Sequence, residues 1–443
     1  MNRTVSYASV CAAVLLTLLG VDRYVTYHSG ADLGVFVQAI ANAAHGMADT
    51  PEGGSHFLHH FSPILYLFAP LLWITHSAIA LIAVQAVAYA LVAPALFAFA
   101  RRHMDERLAA TASIVALAYP PLVGVAFTDF HELGFAPAAF VGLVWAVDAR
   151  RWIWASVWLA VMLSIKEDQA LILASLGVLL AVAAWRRDPA AARFGALASL
   201  VSLATFVGYF AIVWPLAGGS GNWFALSYYL NPPSAGTHHG FAAVLARLSY
   251  LGEALVPLLF IPLRTPWFVL AVPGLFEVLA SRWSITYTMG QHYAGVWIGG
   301  MLIAYVMGLA TIAQTDAKRA TNMLRATLGI CILVLVFASP THWGHYLRLR
   351  GAHDAALDRI VARVPGTAPI GTFDEAYVHL AFDPNAQMGF EGEPEYALVD
   401  AHYNSAAWRD VYGPQFNAIS GAYRPVATDD GVTLYQRTQG RPR

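Results

Sequence analysis

The sequence predicts an all-α bundle that crosses a membrane many times and carries a small α/β domain at its C-terminal end. Of its 443 residues, 58% are hydrophobic and only 12% are charged, and the mean hydropathy is +0.54. An ordinary soluble domain has about 25% charged residues. The apolar residues also lie in long runs, as membrane-spanning segments do. Only helices and closed barrels satisfy the backbone hydrogen bonds of such segments inside a bilayer.

Composition also excludes several classes of function. The formal net charge is −1, which argues against a nucleic-acid partner. Cys11 and Cys331 both lie within apolar runs, so no disulfide framework is predicted. The sequence carries no Walker loop, dinucleotide fingerprint or nucleophile elbow. A nucleotide-driven engine is therefore not expected, and any driven reaction must use a lipid-bound donor or a gradient.

Hydrophobic runs predict about 11 transmembrane helices. The runs cover residues 6–22, 78–100, 108–127, 133–148, 152–165, 169–185, 194–216, 248–263, 266–281, 292–313 and 324–339. The segment Ser62–Ile74 is apolar but shorter than the ~20 residues that a spanning helix needs, so a half-inserted or interfacial helix is expected there. The first run lacks a small-residue cleavage pattern and is predicted to remain as a membrane helix.

Basic residues orient this layout. Most of them fall on one side of the predicted spans, and the other side holds Arg23, Lys166, Arg247 and Arg282. Because basic residues favour the cytoplasmic side, the N-terminus is predicted in the cytoplasm and the C-terminal domain outside the cytoplasmic (inner) membrane. Three larger loops then lie outside as well, at residues 22–61, 217–247 and 282–291.

The composition becomes more polar after residue 340. We therefore expect a transmembrane domain at 1–340 and a soluble extracytoplasmic α/β domain at 341–443. A helix is predicted at Asp354–Val364. Strands are predicted at Ala368–Thr372, Tyr396–Asp400 and Gly431–Gln436.

An acidic residue stands at the outer mouth of the first predicted span, in the segment Asp32–Gln38 (DLGVFVQ). A carboxylate beside lipid is costly unless it has a partner or a task. At the interface, Asp32 could take the proton from a hydroxyl that arrives from water, and Gly34 would let another group approach closely. The alternative is a helix N-cap, a position where aspartate is favoured.

Three histidines follow in the same predicted loop. His56, His59 and His60 are spaced at i, i+3 and i+4, so a helix would place two or three imidazoles on one face. Together with a carboxylate they could bind a divalent metal. They could equally donate hydrogen bonds to a phosphate or a sugar, or be interfacial histidines without a special task.

Two short connections between spans concentrate charge. Asp129 and Glu132 are close enough in sequence to share a proton or a cation, with an ordinary interfacial turn as the alternative. Lys166 precedes Glu167 and Asp168. A lone lysine on the sparsely basic outer face suggests a lipid-linked phosphate as its counter-charge, or else a local ion pair.

Further candidates lie in the second half of the predicted bundle. Arg282 and His292 could each face a leaving phosphate. The loop Gly218–His239 is rich in Gly, Tyr, Trp and Asn, and could hold a sugar by stacking or anchor helix ends at the interface. Glu277 is an acid within a predicted span, and it could pair with Arg282.

The order of these motifs resembles that of one family of prokaryotic multi-pass membrane proteins, which is defined only as a domain of unknown function. The motifs are Asp32–Gln38, His60–Leu65, Asp129–Glu132, Lys166–Asp168 and His292–Tyr293. That family in turn resembles the GT-C glycosyltransferases, which take a sugar from a lipid-phosphate donor and include protein mannosyltransferases. The likeness covers most of the chain, so a GT-C-like fold is expected.

By this resemblance Asp32 is the catalytic base, since GT-C enzymes typically carry an acidic residue in the first extracytoplasmic loop. Many of them have two acids there, whereas Leu33 and Gly34 follow Asp32 in this chain. A metal requirement therefore does not carry over, and a divalent metal is left open. Four supporting acids could supply the second carboxylate: Asp129, Glu132, Glu167 and Asp168.

The resemblance implies inverting transfer of a hexose or pentose from a polyprenyl-phosphate sugar to an acceptor protein, glycan or lipid on the extracytoplasmic face. Asp32 would deprotonate the acceptor hydroxyl. The departing phosphate would be stabilised by cationic or imidazole side chains: Lys166, His59, His60, Arg282 and His292. The alternative is a transporter or a non-catalytic lipid- or glycan-binding scaffold. A transporter would need ionisable residues deep within its spans, whereas the acids here cluster at one membrane face.

Overall fold

The computed structural model describes residues 2–232, 237–338 and 343–438. The chain forms two compact units, each built from separate stretches of sequence. The helical unit comprises Met1–Thr17, Phe57–Leu65 and Ala83–Trp343. The sheet unit comprises Leu18–His56, Tyr66–Ile82 and Gly344–Arg443. The predicted domain boundary, between residues 340 and 341, lies outside the described residues.

Within the described ranges, six helices are long and apolar enough to cross a membrane. They are Arg3–Val25, Ile79–Ala100, Glu167–Ala184, Pro189–Leu216, His292–Thr315 and Ala317–Phe337. A seventh crossing results if Glu106–Ala116 and Pro120–Phe127, which meet at 49°, form one broken span. The chain is therefore a multi-pass helical membrane protein, as predicted, but the expected count of about 11 spans is not confirmed.

The lower count arises where apolar runs fold into shorter or interrupted helices. These are Ala136–Asp148, Trp152–Leu163, Gly240–Leu255 and Val272–Ala280. Between the last two, Pro262 and Pro266 each lie in a 3₁₀ turn. Proline has no N–H to donate, so it interrupts a helix that hydropathy alone would continue.

The segment that was expected to be interfacial forms the 3₁₀ helix Pro63–Phe68 followed by the α-helix Ala69–Thr75. The other short α-helices are Ala31–Ala41, Ser227–Leu230, Trp343–Tyr346, Ala352–Val361, Asp374–Leu380 and Gly413–Ile419. Further 3₁₀ turns are Ala43–His45, His56–Leu58, Glu132–Phe135, Phe224–Leu226, Ile261–Arg264, Pro266–Leu270, Ser284–Tyr287, His292–Ala294 and Ser420–Ala422. The segments Tyr209–Val213 and Trp408–Tyr412 are single π turns.

Close helix packing builds the interior of the helical unit. Helices Glu167–Ala184 and Pro189–Gly208 meet through glycines, because a Cβ placed on Gly177 would lie 2.6 Å from the carbonyl oxygen of Gly195. Helix Gly295–Thr315 is buried over nearly its whole length. The residues that immediately precede this helix therefore lie in the interior of the unit.

The strands among the described residues belong to the sheet unit. They are β1 (Ala48–Asp49), β2 (Gly54–Ser55), β3 (Ile370–Thr372), β4 (Ala386–Met388), β5 (Tyr396–Asp400), β6 (Tyr423–Asp429) and β7 (Val432–Arg437). β1 and β2 form a small hairpin, and the other five form one sheet in the order β4-β3-β5-β7-β6. β3 runs parallel to β4 and β5, whereas β7 is antiparallel to β5 and β6.

The predicted α/β pattern of the C-terminal region is confirmed. The predicted strand at Tyr396–Asp400 has the bounds of β5, and the predicted helix at Asp354–Val364 forms as Ala352–Val361. Two strands of this sheet, β4 and β6, were not predicted. β6 contains Pro425, next to a register shift, and lies at the edge of the sheet, where a strand tolerates proline.

Candidate active site

Lys166 lies at the centre of a buried charged cluster in the helical unit. It directly precedes helix Glu167–Ala184, and its side chain is only 6% exposed. Its Nζ atom lies 3.8 Å from Asp168 Oδ2 and 4.0 Å from Glu132 Oε1, beyond the usual hydrogen-bond range. Among the described residues, none accepts a hydrogen bond from this ammonium group. A buried lysine therefore keeps its donors for a further partner.

Glu132 begins the 3₁₀ turn Glu132–Phe135 and is fully buried. His131 Nδ1 lies 2.9 Å from Glu132 Oε2, and the His131 ring stacks on His292 with 3.5 Å between the ring centroids. Neither carboxylate oxygen of Glu132 is hydrogen-bonded by any residue in the described part of the chain. The distance to His131 is thus an ion-pair distance without hydrogen-bond geometry.

The two central charges hold one another in the ionised form. Burial opposes ionisation of Glu132, but the His131 imidazole and the Lys166 ammonium outweigh it and hold the pKa of Glu132 well below its usual range. Burial would likewise lower the pKa of Lys166, but Asp168, Glu132 and Glu167 outweigh it and raise that pKa. The site therefore presents a charged ammonium at neutral pH.

Glu167 connects the cluster to the segment Phe57–Leu65 of the same unit. Its carboxylate accepts a hydrogen bond from Phe61 N at 2.7 Å and lies 2.9 Å from His60 Nδ1. A carboxylate in the first turn of a helix is stabilised by the helix dipole. The fold therefore brings three of the predicted site residues, His60, Lys166 and Glu167, into one cluster.

A cavity of about 680 Å³ opens beside this cluster in the helical unit. One group of lining residues is ionisable: His60, Lys166, Glu167, Asp168 and Glu277. A second group is aromatic with polar edges: Trp223, Tyr228, Tyr229 and Tyr293. The rest of the lining is mainly apolar and includes Leu171, Phe206 and Phe276. The cavity thus offers both charged and apolar surface to a single ligand.

Other predicted site residues lie elsewhere in the helical unit. The His59 ring packs on Phe224 with 4.8 Å between the ring centroids, outside the cavity lining. Arg282 is exposed, and its Nη1 donates a hydrogen bond to Leu230 O at 2.9 Å. Asp129 is half-buried, and its carbonyl oxygen accepts a hydrogen bond from Gln85 at 3.1 Å.

Asp32 belongs to the sheet unit and lies in the first turn of helix Ala31–Ala41. The N-cap of this helix is Gly30, so the alternative interpretation of Asp32 as an N-cap is wrong. Gly34 allows close packing, because a Cβ there would lie 2.6 Å from the Tyr377 ring. Tyr377 Oη also donates a hydrogen bond to Gln38 Oε1 at 2.8 Å. The glycine and glutamine of this motif thus anchor the helix, and Asp32 remains half-buried.

A second cluster of charged side chains lies in the sheet unit, and of its members the sequence analysis above names His56 alone. Asp49 and His56 are buried, and Glu52 lies between them in sequence. Glu52 N donates to Asp49 Oδ1 at 2.7 Å, and His56 Nδ1 lies 2.9 Å from Glu52 Oε2. Burial and the neighbouring Glu52 raise the pKa of Asp49 to about 8. One ligand atom from each residue falls within 4.8 Å of the others, so the group could hold a metal ion.

The helix that was expected to gather three histidines does not form. The 3₁₀ turn His56–Leu58 ends before His59, and His56 belongs to the sheet unit whereas His59 and His60 belong to the helical unit. The histidines were singled out by their mutual spacing, and their carboxylate partner was not specified. The spacing of Asp49, Glu52 and His56, three and four residues apart, was the signal that could have found the second cluster.

The chain is thus a multi-pass helical membrane protein with a buried charged cluster beside a cavity. Residues 23–348 match the family described as predicted membrane protein (DUF2079), and the chain belongs to that family. No match was found among curated protein sequences. The predicted resemblance to this family is confirmed.

Two solved structures of one protein, ArnT, support the expected GT-C-like fold. The structure of ArnT from Cupriavidus metallidurans bound to undecaprenyl phosphate aligns over 97% of each chain, with 13% identity and a TM-score of 0.64. The apo structure of the same protein aligns over 98% of each chain, with 12% identity and a TM-score of 0.61. The oligosaccharyltransferase from Archaeoglobus fulgidus is a weaker match, covering 98% of this chain and 74% of its own, with 10% identity and a TM-score of 0.48.

Proposed function

We propose that this protein is a glycosyltransferase that moves a sugar from a polyprenyl-phosphate donor to an acceptor hydroxyl, with inversion at the anomeric carbon. The observation that carries the proposal is the buried ammonium of Lys166 beside a large, partly apolar cavity. The likeness of the fold to ArnT, whose structure was solved with undecaprenyl phosphate, adds the class of lipid. The proposed reaction takes place at the extracytoplasmic face of the cytoplasmic membrane, the side on which the predicted N-terminus-in orientation would put the cluster.

The donor phosphate binds at Lys166. An ammonium group in a low-dielectric site stabilises a phosphate far more than it would in water. Its neighbours Asp168 and Glu132 lie 3.8 and 4.0 Å away, so it can approach a phosphate oxygen without breaking a hydrogen bond to either. As the bond between the anomeric carbon and the phosphate oxygen breaks, the phosphate leaves with the electron pair. Lys166, with His60 and His292 as supporting groups, stabilises that charge.

The remainder of the cavity suits the rest of such a donor. Carboxylates of Asp168 and Glu277 accept hydrogen bonds from sugar hydroxyls, and the Trp223 and Tyr228 rings offer faces for the sugar to stack on. Apolar side chains, including Phe206, contact the prenyl chain. One cavity thus accommodates a ligand that is charged at one point, polar at the next and apolar beyond.

Asp32 is proposed as the base that removes the proton of the acceptor hydroxyl while its oxygen attacks the anomeric carbon. The support is its match to the acidic position of GT-C first loops and its half-buried place in a helix first turn. Four acids are proposed to support this base: Asp129, Glu132, Glu167 and Asp168. Arg282 and His59 remain proposed contacts of the donor phosphate or sugar, although neither lines the cavity. The residues that could hold a divalent metal here are Asp49, Glu52 and His56, which offer two carboxylates and an imidazole.

The test is donor turnover in proteoliposomes, with a panel of polyprenyl-phosphate sugars and release of polyprenyl phosphate as the readout. Asp32→Asn keeps the shape and removes the base, so turnover should fall by about 100- to 10,000-fold. Asp410→Asn, which changes an exposed aspartate of the same unit, is the matched control and should leave turnover unchanged. Equal turnover in wild type and a folded Asp32→Asn protein would remove Asp32 from catalysis. Lipid binding without any turnover would support the scaffold instead.

A further inference from the structure

A separate group of ligand-type side chains lies in the sheet unit, at the end of β5. Asp400 closes that strand, His402 follows two residues later, and His353 is the second residue of helix Ala352–Val361. We propose that these three residues bind a divalent transition-metal ion of the zinc class. This proposal is independent of the proposed glycosyltransferase activity.

The distances fit one ion with a small adjustment. His353 Nε2 lies 3.0 Å from Asp400 Oδ2, and His402 Nδ1 lies 3.5 Å from Asp400 Oδ1. One ligand atom from each residue falls within 4.8 Å of the others. Ligand atoms on a tetrahedral zinc, with bonds of about 2.0–2.1 Å, lie about 3.3 Å apart. Rotation of the His402 side chain, which is 62% exposed, closes the remaining gap.

A carboxylate already orients the His353 ring from behind. His353 Nδ1 lies 3.1 Å from Asp430 Oδ2. An Nδ1–H donated to Asp430 leaves the lone pair on Nε2, the atom that faces Asp400. Metal-ligating histidines usually donate their other ring N–H to a carboxylate or carbonyl in this way, which fixes the tautomer and raises ligand basicity. Asp430 is therefore a positioning residue and does not itself bind the ion.

The backbone at Gly431 leaves space for the His402 imidazole. Gly431 follows Asp430 in the turn between β6 and β7 and has a φ of +80°, a conformation that favours glycine. A Cβ at Gly431 would lie 2.6 Å from His402 Cε1. Any larger residue would displace the ring, so the turn keeps His402 next to Asp400.

No fixed cation in the described part of the sheet unit competes for the central carboxylate. Asp400 is 5% exposed, and its ion-pair partners within the described ranges are the two imidazoles. The nearby Arg359 is engaged with Asp429 at 2.6 Å. Two imidazole nitrogens and one carboxylate favour zinc, copper, nickel or cobalt over magnesium or calcium. Three protein ligands also leave a fourth position for water or another ligand.

The test is zinc titration of the purified full-length protein in detergent after treatment with a chelator. Calorimetry should give one zinc-binding event that depends on this site, and Co²⁺ in place of zinc should give the absorption of a tetrahedral ion. Removing a ligand in His402→Ala or His353→Ala should weaken binding by more than about 100-fold. Asp430→Asn should weaken it by about 10- to 100-fold, the usual cost of losing an outer partner. Because the His402 side chain is mostly exposed, its removal should leave the fold intact.

His76→Ala is the control, since His76 is an exposed histidine of the same unit. Zinc affinity unchanged in both His402→Ala and His353→Ala would overturn the proposal. Loss of the binding event in Asp49→Asn rather than in the His353 and His402 variants would assign zinc to the other cluster and overturn it equally. Absence of any zinc binding would mean that His353 serves as an imidazolium between Asp400 and Asp430.

Discussion

The helical unit and the sheet unit each bring carboxylates and imidazoles together, but only the cluster of the helical unit contains a lysine. Around Lys166, two carboxylates lie within 4.0 Å of a buried ammonium group. Around Asp400, the partners are two imidazoles, of His353 and His402. The lysine supplies a permanent positive charge, whereas an imidazole can give up its proton and become a ligand. The two clusters should therefore select ligands of opposite sign.

This contrast gives the two sites separate tests. If the lysine determines the sign of the charge on the bound ligand, the helical unit binds an anionic phosphate and the sheet unit binds a cation. Variants of one cluster should then leave the ligand of the other unaffected.

Of the effects that follow from this contrast between the two clusters, the largest is expected on sugar transfer when Lys166 is changed. Lys166→Gln removes the charge that stabilises the departing phosphate, and turnover should fall by about 100- to 1,000-fold, the usual effect of losing one such donor. Lys166→Arg keeps the charge and should retain part of the activity. Lys318, the other lysine of the chain, is exposed, so Lys318→Gln is a matched control. Unchanged turnover in Lys166→Gln would contradict the role of the Lys166 ammonium in stabilising the departing phosphate.

A smaller effect is expected on thermal stability when zinc is added. An ion that binds only the folded chain stabilises it by about 2.7 kcal/mol at 100 times its dissociation constant. Thermal unfolding in detergent should therefore shift upwards with zinc in the wild type and in Lys166→Gln. The shift should disappear in His402→Ala. A shift lost in Lys166→Gln as well would show that the two clusters do not act separately.

The smallest effect concerns a half-buried histidine that has no carboxylate partner among the described residues. His379 lies between the Tyr24 and Tyr27 rings, 4.2 and 4.0 Å from their centroids, and its Nε2 lies 3.1 Å from Tyr24 O. Burial lowers the pKa of His379 to about 4. The unfolded chain therefore binds the proton first, near the ordinary histidine pKa of about 6.5. The stability contributed by neutral His379 is present above that pKa and is lost as pH falls towards 4.

Between pH 7 and 5.5 this loss should amount to about 1 kcal/mol. Thermal unfolding measured across that range should show it. His379→Gln, which keeps an N–H donor and cannot titrate, should flatten the pH dependence, whereas His76→Ala should retain it. A wild-type curve without any slope over this range would contradict the neutral assignment.

Sequence predicted the fold in outline because its main signals are local. The apolar runs predicted a multi-pass helical bundle, and alternating helix and strand patterns predicted the C-terminal sheet. The count of about 11 spans is not confirmed, because several predicted runs form shorter helices or begin with a 3₁₀ turn such as Pro266–Leu270. β6 was missed because Pro425 makes its sequence resemble a loop, although an edge strand accepts it.

The candidate site was predictable to the extent that its residues form short motifs. Lys166 and Glu132 were singled out from two separate connections, and the fold places them 4.0 Å apart. Sequence spacing carries no information about such a distance. The group of His353, Asp400 and His402 was missed for the same reason, since His353 and Asp400 are 47 residues apart. Only the packing of a helix on a strand end brings them together.

The proposed binding of the donor phosphate at Lys166 can be measured directly, as the affinity of undecaprenyl phosphate for the purified protein. This measurement needs neither the sugar nor the acceptor to be known. We expect Lys166→Gln to weaken binding by at least about 10-fold, whereas Lys318→Gln should bind like the wild type. Equal affinity in wild type, Lys166→Gln and Lys318→Gln, with all three folded, would contradict it.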